Sequence, residues 1–310
     1  MSAVPPPPLP PAVPGAGAAV GAFGTGEARI LERGYRRYDG PRLGRASSVR
    51  TVASHAIQRV LGIKRPAWAK VLPVVAIAIA YIPAIVFVGI VALTPNDPTV
   101  QQHVPTYGQY YAYIISAIAL FVAIVAPEVL CPDRRTGMLG LYLASPLSRD
   151  TYLLGKALAV AAVLATVSIG PPFIMMIAFS VQGHGPVGPG DLVLTALRII
   201  GAGAAITIFY TAMSLGISSL TDRKAFASAG IILALLVTAA VSGALQANGS
   251  PAYELLNLFH LPFDLAVAIH GGPSSGARLS VLAASGATLV WTLLFAAVAR
   301  FRYAHLQVTR

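Results

Sequence analysis

The chain has 310 residues, 56% of them apolar and only 11% charged, with a formal net charge of +11. Soluble domains carry about 25% charged residues, so a water-soluble fold would leave large apolar patches exposed, and a bilayer is the solvent that fits. The single cysteine, Cys131, excludes an internal disulfide and any cysteine-based zinc cluster.

Residues 1–26 read as a disordered tail rich in Pro, Ala and Gly. Its prolines donate no backbone hydrogen bond, and it has too few bulky apolar groups to offset ordering. It lacks the charged start and compact apolar core of a signal peptide; the first basic residue is Arg29. Residues 27–70 are basic, and Val52, Ala56, Arg59/Val60 and Ile63 recur at helical spacing, which predicts an amphipathic helix at the membrane interface. A helix needs about 20 apolar residues to cross the hydrocarbon. Runs of that kind occur at about 71–93, 110–131, 152–179, 195–220, 225–246 and 279–301. Pro83 is expected to kink the first, and Pro171-Pro172 to interrupt the third. Tyr107, Tyr110, Tyr111 and Tyr113, at the start of the second, read as an interfacial aromatic belt.

The segment 250–270 is apolar but broken by Glu254, His260, Pro262 and Asp264. It is too interrupted to span, and predicts re-entrant or surface helices before the last span. Lys and Arg fix the orientation. Twenty of the 22 lie before the first span, between spans two and three, after span four, or from Arg300 onward, leaving Arg198 and Arg278 for the other side. Positive charge marks the cytoplasmic side. The prediction is an all-α integral membrane protein: a six-helix transmembrane domain over 71–303, both termini cytoplasmic and a short tail at 304–310.

The charge also needs no nucleic acid to explain it, since topology and anionic lipid account for it. Two charges fall at membrane boundaries. Glu128, at the inner end of span two, lies near Arg134 and Arg135, and Arg198, at the outer end of span four, can snorkel to headgroups or line a substrate path. Glu254, His260, Asp264 and His270 match no metal-ligand spacing. An intramembrane enzyme would need a zinc-binding His-Glu-x-x-His, or a Ser/His or Asp/Asp dyad at membrane depth, and the spans carry none of these.

The connection between spans two and three is the most informative stretch: PEVLCPDRRTGMLGLYLASPLSRDTYLLGK, Pro127 to Lys156. Thr136 can cap a short helix whose Met138, Leu139, Tyr142 and Leu143 give an apolar side flanked by Arg134, Arg135 and Arg149. Such a helix suits either docking into a partner's groove or lying at the headgroups.

The run R-T-G-M-L-x-L-Y-L-A-S-P-L-S-R-x-x-Y-L-L-G-K resembles the permease subunits of ABC-2 type transporters. Pro132-Asp133-Arg134-Arg135 and Thr136-Gly137 depart from the family's acidic-basic-acidic start and its Gly-Thr order. The resemblance implies a coupling helix near Arg134, Arg135, Met138, Leu139, Tyr142 and Arg149, with a smaller contact at Asp222 and Arg223. It implies a separate ABC ATPase subunit carrying ATP and Mg, a second permease copy or paralogue, and export across a bacterial plasma membrane. A non-transporting assembly or sensor subunit on the same scaffold would read alike.

This chain supplies no nucleotide site of its own. A P-loop needs Gly-x4-Gly-Lys-Ser/Thr to cradle phosphate. At Gly155-Lys156 the first glycine is replaced by Asp150, and Ala157 follows the lysine.

Overall fold

The computed structural model describes residues 40, 44–63, 66–95, 97, 99, 102–247, 251–271 and 280–306. The chain divides into residues 1–42 and 43–310, and the architecture below is that of the second unit. The expected disordered tail at 1–26, most of the basic segment before residue 44, Arg278 and the last four residues lie outside the described residues.

Among the described residues every regular element is helical. Helix α1 is Arg45–Val60 and α2 is Trp68–Leu93. The second span comprises α3, Tyr107–Leu120, a π-helical turn at Phe121–Val125, and α4, Pro127–Arg135. Short α5, Met138–Leu143, leads to α6, Arg149–Val181, and α7, Gly188–Ser218. Then come α8, Lys224–Ala247, a 3-10 turn at Pro251–Leu256, α9, Leu261–Ile269, and α10, Val281–Ala304.

Six of these stretches are long and apolar enough to cross a membrane: Lys70–Leu93, Tyr107–Arg135, Arg149–Val181, Gly188–Ser218, Lys224–Ala247 and Val281–Ala304. Each matches a predicted span. Several run beyond the predicted limits because polar first turns prolong a helix past the hydrocarbon. Ser148 and Thr151 form a capping box before α6, and Thr106 and Gln109 form one before α3.

The second span is the centre of the bundle, with 67% of its apolar window buried, against 22% for the first and 11% for the last. The outer spans therefore present large apolar side chains outward, such as Ile85, Leu236 and Leu293. In water those faces would be a liability; in lipid they are the solvent-facing surface.

Helix α6 packs on α7, α2 and α1, and α7 also packs on α10 and α9. Buried hydroxyls bridge the α6–α7 contact: Ser168 Oγ donates to the Gly203 carbonyl at 3.1 Å and lies 2.9 Å from Thr207 Oγ1. Such bonds join helices where apolar surface alone gives little preference over lipid.

Four details differ from the sequence expectation. The third span is not interrupted, since α6 runs unbroken through Pro171 and Pro172. The irregularity falls in the second span instead, where the Ala126 N–H bonds back to the Phe121 carbonyl at 3.2 Å. Pro127 follows directly; its ring crowds the preceding turn and it has no N–H to donate, so the helix widens by one residue there.

The aromatic belt is not formed as expected either. Tyr110 and Tyr111 are fully buried, their hydroxyls donating to the Ala80 and Ile199 carbonyls. They pin α3 to α2 and α7, and only Tyr113 is exposed. Last, Ile63 lies beyond the end of α1 and is exposed, whereas Val52, Ala53, Ala56 and Val60 form the buried face.

The broken segment before the last span takes the form of the 3-10 turn and α9. Its backbone groups are met by side chains from the spans. Tyr210 Oη donates to the Phe259 carbonyl at 2.8 Å, Trp291 Nε1 to Leu255 at 3.1 Å, and Ser242 Oγ to Tyr253 at 2.9 Å. Irregular backbone beside apolar spans is tolerated when protein groups satisfy it in this way.

Candidate coupling surface at the charge-rich end

The end of α4 is organised by one carboxylate. Asp133 is 2% exposed. Its Oδ2 lies 2.6 Å from Lys156 Nζ of α6, and its Oδ1 accepts from Arg59 Nη1 of α1 at 2.8 Å. Tyr152 Oη donates to Oδ2 at 2.9 Å. A buried carboxylate is expensive unless paired and hydrogen-bonded; here two cations and a phenol share it.

Sequence places these groups together through helix geometry. Tyr152 and Lys156 are four apart on the first turns of α6 and so share a face. Arg59 sits near the end of α1, whose Val52, Ala56 and Val60 pack the helix down.

Rings close over the cluster. Lys156 Nζ lies 5.4 Å from the centroids of both Tyr142 and Tyr152. Tyr152 in turn stands 5.4 Å from Tyr142 and 6.0 Å from Tyr303 of α10. Burial, reinforced by the neighbouring Asp133, raises the Tyr142 phenol above its ordinary range, so it stays protonated.

The two arginines flanking the connection point inward to helix ends. Arg134 Nη1 donates to the Ser219 and Thr221 carbonyls at 2.5 and 3.0 Å, at the close of α7. Arg149 Nη1 donates to the Tyr303 and Ala304 carbonyls, which end α10. The last carbonyls of a helix lack intrahelical donors and carry partial negative charge, so a guanidinium suits both places.

Glu128 pairs with Lys224 Nζ at 2.9 Å, the first residue of α8, and not with its neighbours Arg134 or Arg135. Arg134 is turned to the close of α7, and Arg135, seven residues on, stands about two helical turns along the axis from Glu128. Cys131 is buried, as a packing residue would be.

Between α4 and α5 the chain reverses at Gly137, whose φ of +69° lies in the left-handed region. Thr136 does not cap α5; its hydroxyl donates back to the Pro132 carbonyl at 2.7 Å and closes α4 instead. The six residues of α5 then split by face. Leu139 is buried and Tyr142 half-buried, whereas Met138 is 40% and Leu141 67% exposed. Arg135, just before α5, and Asp222 and Arg223, between α7 and α8, are also exposed, the last with its guanidinium 5.8 Å from the Phe226 ring.

The sequence-predicted residues thus fall into two groups. Arg134, Arg149, Leu139 and most of Tyr142 hold the connection in place. Arg135, Met138, Asp222 and Arg223 are presented outward. Sequence reasoning missed Asp133, Arg59 and Tyr152 as a cluster, and Leu141 on the open face. The one available signal was a single acid, Asp133, set against two arginines.

Residues 69–306 match the family model described as ABC-2 family transporter protein. The chain belongs to this family. The match takes in all six spans, the α5 connection and the broken segment before α10. No curated protein matches the chain. As an ABC-2 permease, the protein is a multi-pass membrane transport subunit and does not itself carry the catalytic step. Helix α1 lies outside the matched residues, yet the ABC-2 domain's Asp133 draws it in through Arg59.

Proposed function

We propose that this permease is the membrane half of an ATP-driven exporter in a bacterial plasma membrane, worked by a separate ABC ATPase subunit. The observation that carries the reading is the split of α5. One face is fixed by the Asp133 cluster, and the other leaves Met138 and Leu141 exposed, with Arg135 exposed just before the helix and Asp222 and Arg223 exposed in the connection between α7 and α8. A short helix with an apolar centre and charged rim is suited to a groove on a partner. The buried cluster and the arginine contacts give it a rigid seat, so force applied there would reach α1, α6, α7 and α10.

ATP and Mg belong to the partner in this reading, because the chain has no P-loop and Lys156 is held by Asp133. A second permease copy or a paralogue completes the transport path, and the apolar spans suit a lipid-soluble or lipid-linked cargo.

The test is co-purification of the tagged chain with the products of neighbouring genes, extracted in mild detergent. A stoichiometric P-loop ATPase is expected, lost when Leu141→Glu and Arg135→Glu are combined. These exposed positions leave the bundle intact, so the variant should unfold like the wild type. Full ATPase retention by the folded double variant would sink the assignment of α5 as the coupling element.

A further inference from the structure

A cavity of about 300 Å³ lies at the opposite end of the bundle, between the start of α3, the first half of α7 and the end of α9. Thr106, Gln109, Thr195, Arg198 and His270 give it polar walls, and Val267 an apolar one. From these residues we propose that the cavity binds a phosphate ester bearing a hydroxyl group, with Arg198 as the anion partner and His270 as the hydroxyl acceptor. The inference does not depend on coupling to an ATPase.

Arg198 is the first ground. It is half-buried and has no ion-pair partner among the described residues. The acid two turns earlier on α7, Asp191, instead accepts from the Val187 N–H at 3.2 Å. A guanidinium set between apolar helices without a counter-ion is costly. Its planar fork matches phosphate oxygens better than it matches a single point charge.

His270 is the second. Its Nδ1 lies 2.9 Å from the Ala266 carbonyl and must donate to it. Nε2 has no hydrogen-bond partner and no accessible surface, so a ligand hydroxyl meets it only when the cavity wall shifts to uncover that edge of the ring. Burial first, and the Arg198 charge after it, lower the ring's proton affinity, while the Ala266 bond works the other way. A neutral ring donating through Nδ1 leaves Nε2 with a free lone pair, which calls for a hydroxyl donor.

The ring is held in place. Its Cβ lies 3.1 Å from where a side chain on Gly108 would begin, so a larger residue there would push the ring by a few tenths of an ångström. Tyr111 lies 5.9 Å away by ring centroids, and its hydroxyl donates to Ile199, the residue after Arg198. Beside the cavity, Leu194 and Leu197 of α7 are exposed, an apolar surface along which acyl chains can lie. The ester can therefore come from a lipid headgroup or from solution.

The experiment uses the full chain in neutral maltoside micelles, with its six histidines isotopically labelled and read by NMR. The His270 signal is assigned by its loss in His270→Gln. Three probes are added: sn-glycerol 3-phosphate, phosphatidylglycerol and diacylglycerol. Movement of the His270 signal with phosphatidylglycerol alone assigns the cavity to a lipid headgroup. Movement with both phosphate probes assigns it to soluble esters as well.

Arg198→Gln should weaken either response about tenfold or more, the worth of one hydrogen bond to a charged group. The other five histidine signals report that the variant is folded; should they change, Thr195→Val serves instead. No movement with either phosphate probe, an equal response to diacylglycerol, or an unaltered affinity in Arg198→Gln would overturn the proposal.

Discussion

Replacing Asp133 by Asn keeps the shape of the side chain and removes its charge, which makes it the sharpest probe of the cluster under α5. The asparagine can still accept from Tyr152, so that bond weakens without disappearing. Arg59, with 28% of its side chain exposed, can turn to water at a cost of about 1 kcal/mol or less. Lys156 cannot: its side chain is 3% exposed and stays behind as a buried cation without a counter-charge. Removing one partner of a buried pair costs about 3–5 kcal/mol, and Lys156 carries most of it. Asp133→Asn is therefore expected to lose about 3–5 kcal/mol, and Arg59→Gln about 1 kcal/mol or less. The combination of Asp133→Asn with Lys156→Met removes both charges and should recover most of the loss. The assay is equilibrium unfolding by SDS from maltoside micelles, followed by circular dichroism. An Asp133→Asn variant within 1 kcal/mol or so of wild type, or a double variant less stable than the single, would refute the reasoning.

Gly137→Ala should cost about 1–2 kcal/mol through backbone strain alone, since no atom lies within 4 Å of where the new Cβ would sit. The same unfolding assay checks it, and Gly137→Asn, which tolerates positive φ, should lose less. A pH dependence is expected at the opposite end of the bundle. Burial, with Glu254 adding to it, pushes Asp264 up to about 7, and its Oδ2 has no hydrogen-bond partner. Because the folded value lies above an unfolded value near 4, the contribution is full in acid and is lost as pH rises through about 7. His260 and His270, whose proton affinities burial lowers, act in the opposite sense. The measurement is thus the stability of wild type relative to Asp264→Asn, expected to fall between about pH 4 and 7; a flat difference would contradict it.

The spans were legible because crossing a bilayer demands long uncharged runs, and nothing else in this sequence resembles them. The place of the α5 connection was legible from its residues and their resemblance to ABC-2 permeases. Its internal chemistry was not. Asp133 meets Arg59 from 74 residues away, and no local period announces such a partner. The belt reading of Tyr110 and Tyr111 failed for a related reason. An amphipathic ring at a span's end serves equally at a headgroup or against another helix's carbonyl, and packing decides between them. Glu128 likewise had nearer cations in sequence than Lys224. Packing of one helix against the next, not distance along the chain, selects the pair.

The widened turn at Phe121–Val125 has a consequence for phase. An α-helix advances 100° per residue, so one extra residue turns everything after it by that angle relative to a continuous helix. The residues from Tyr110 to Ile118 answer to α2, α6 and α9, while Val129 to Asp133 answer to α1, α7 and α8 and, through Asp133, to the start of α6. Asp133 meets Lys156, and Arg134 meets the end of α7, only with that offset in place. The second span is therefore two helical faces joined out of step, and the extra residue is what lets a single apolar run address the two ends of the bundle separately.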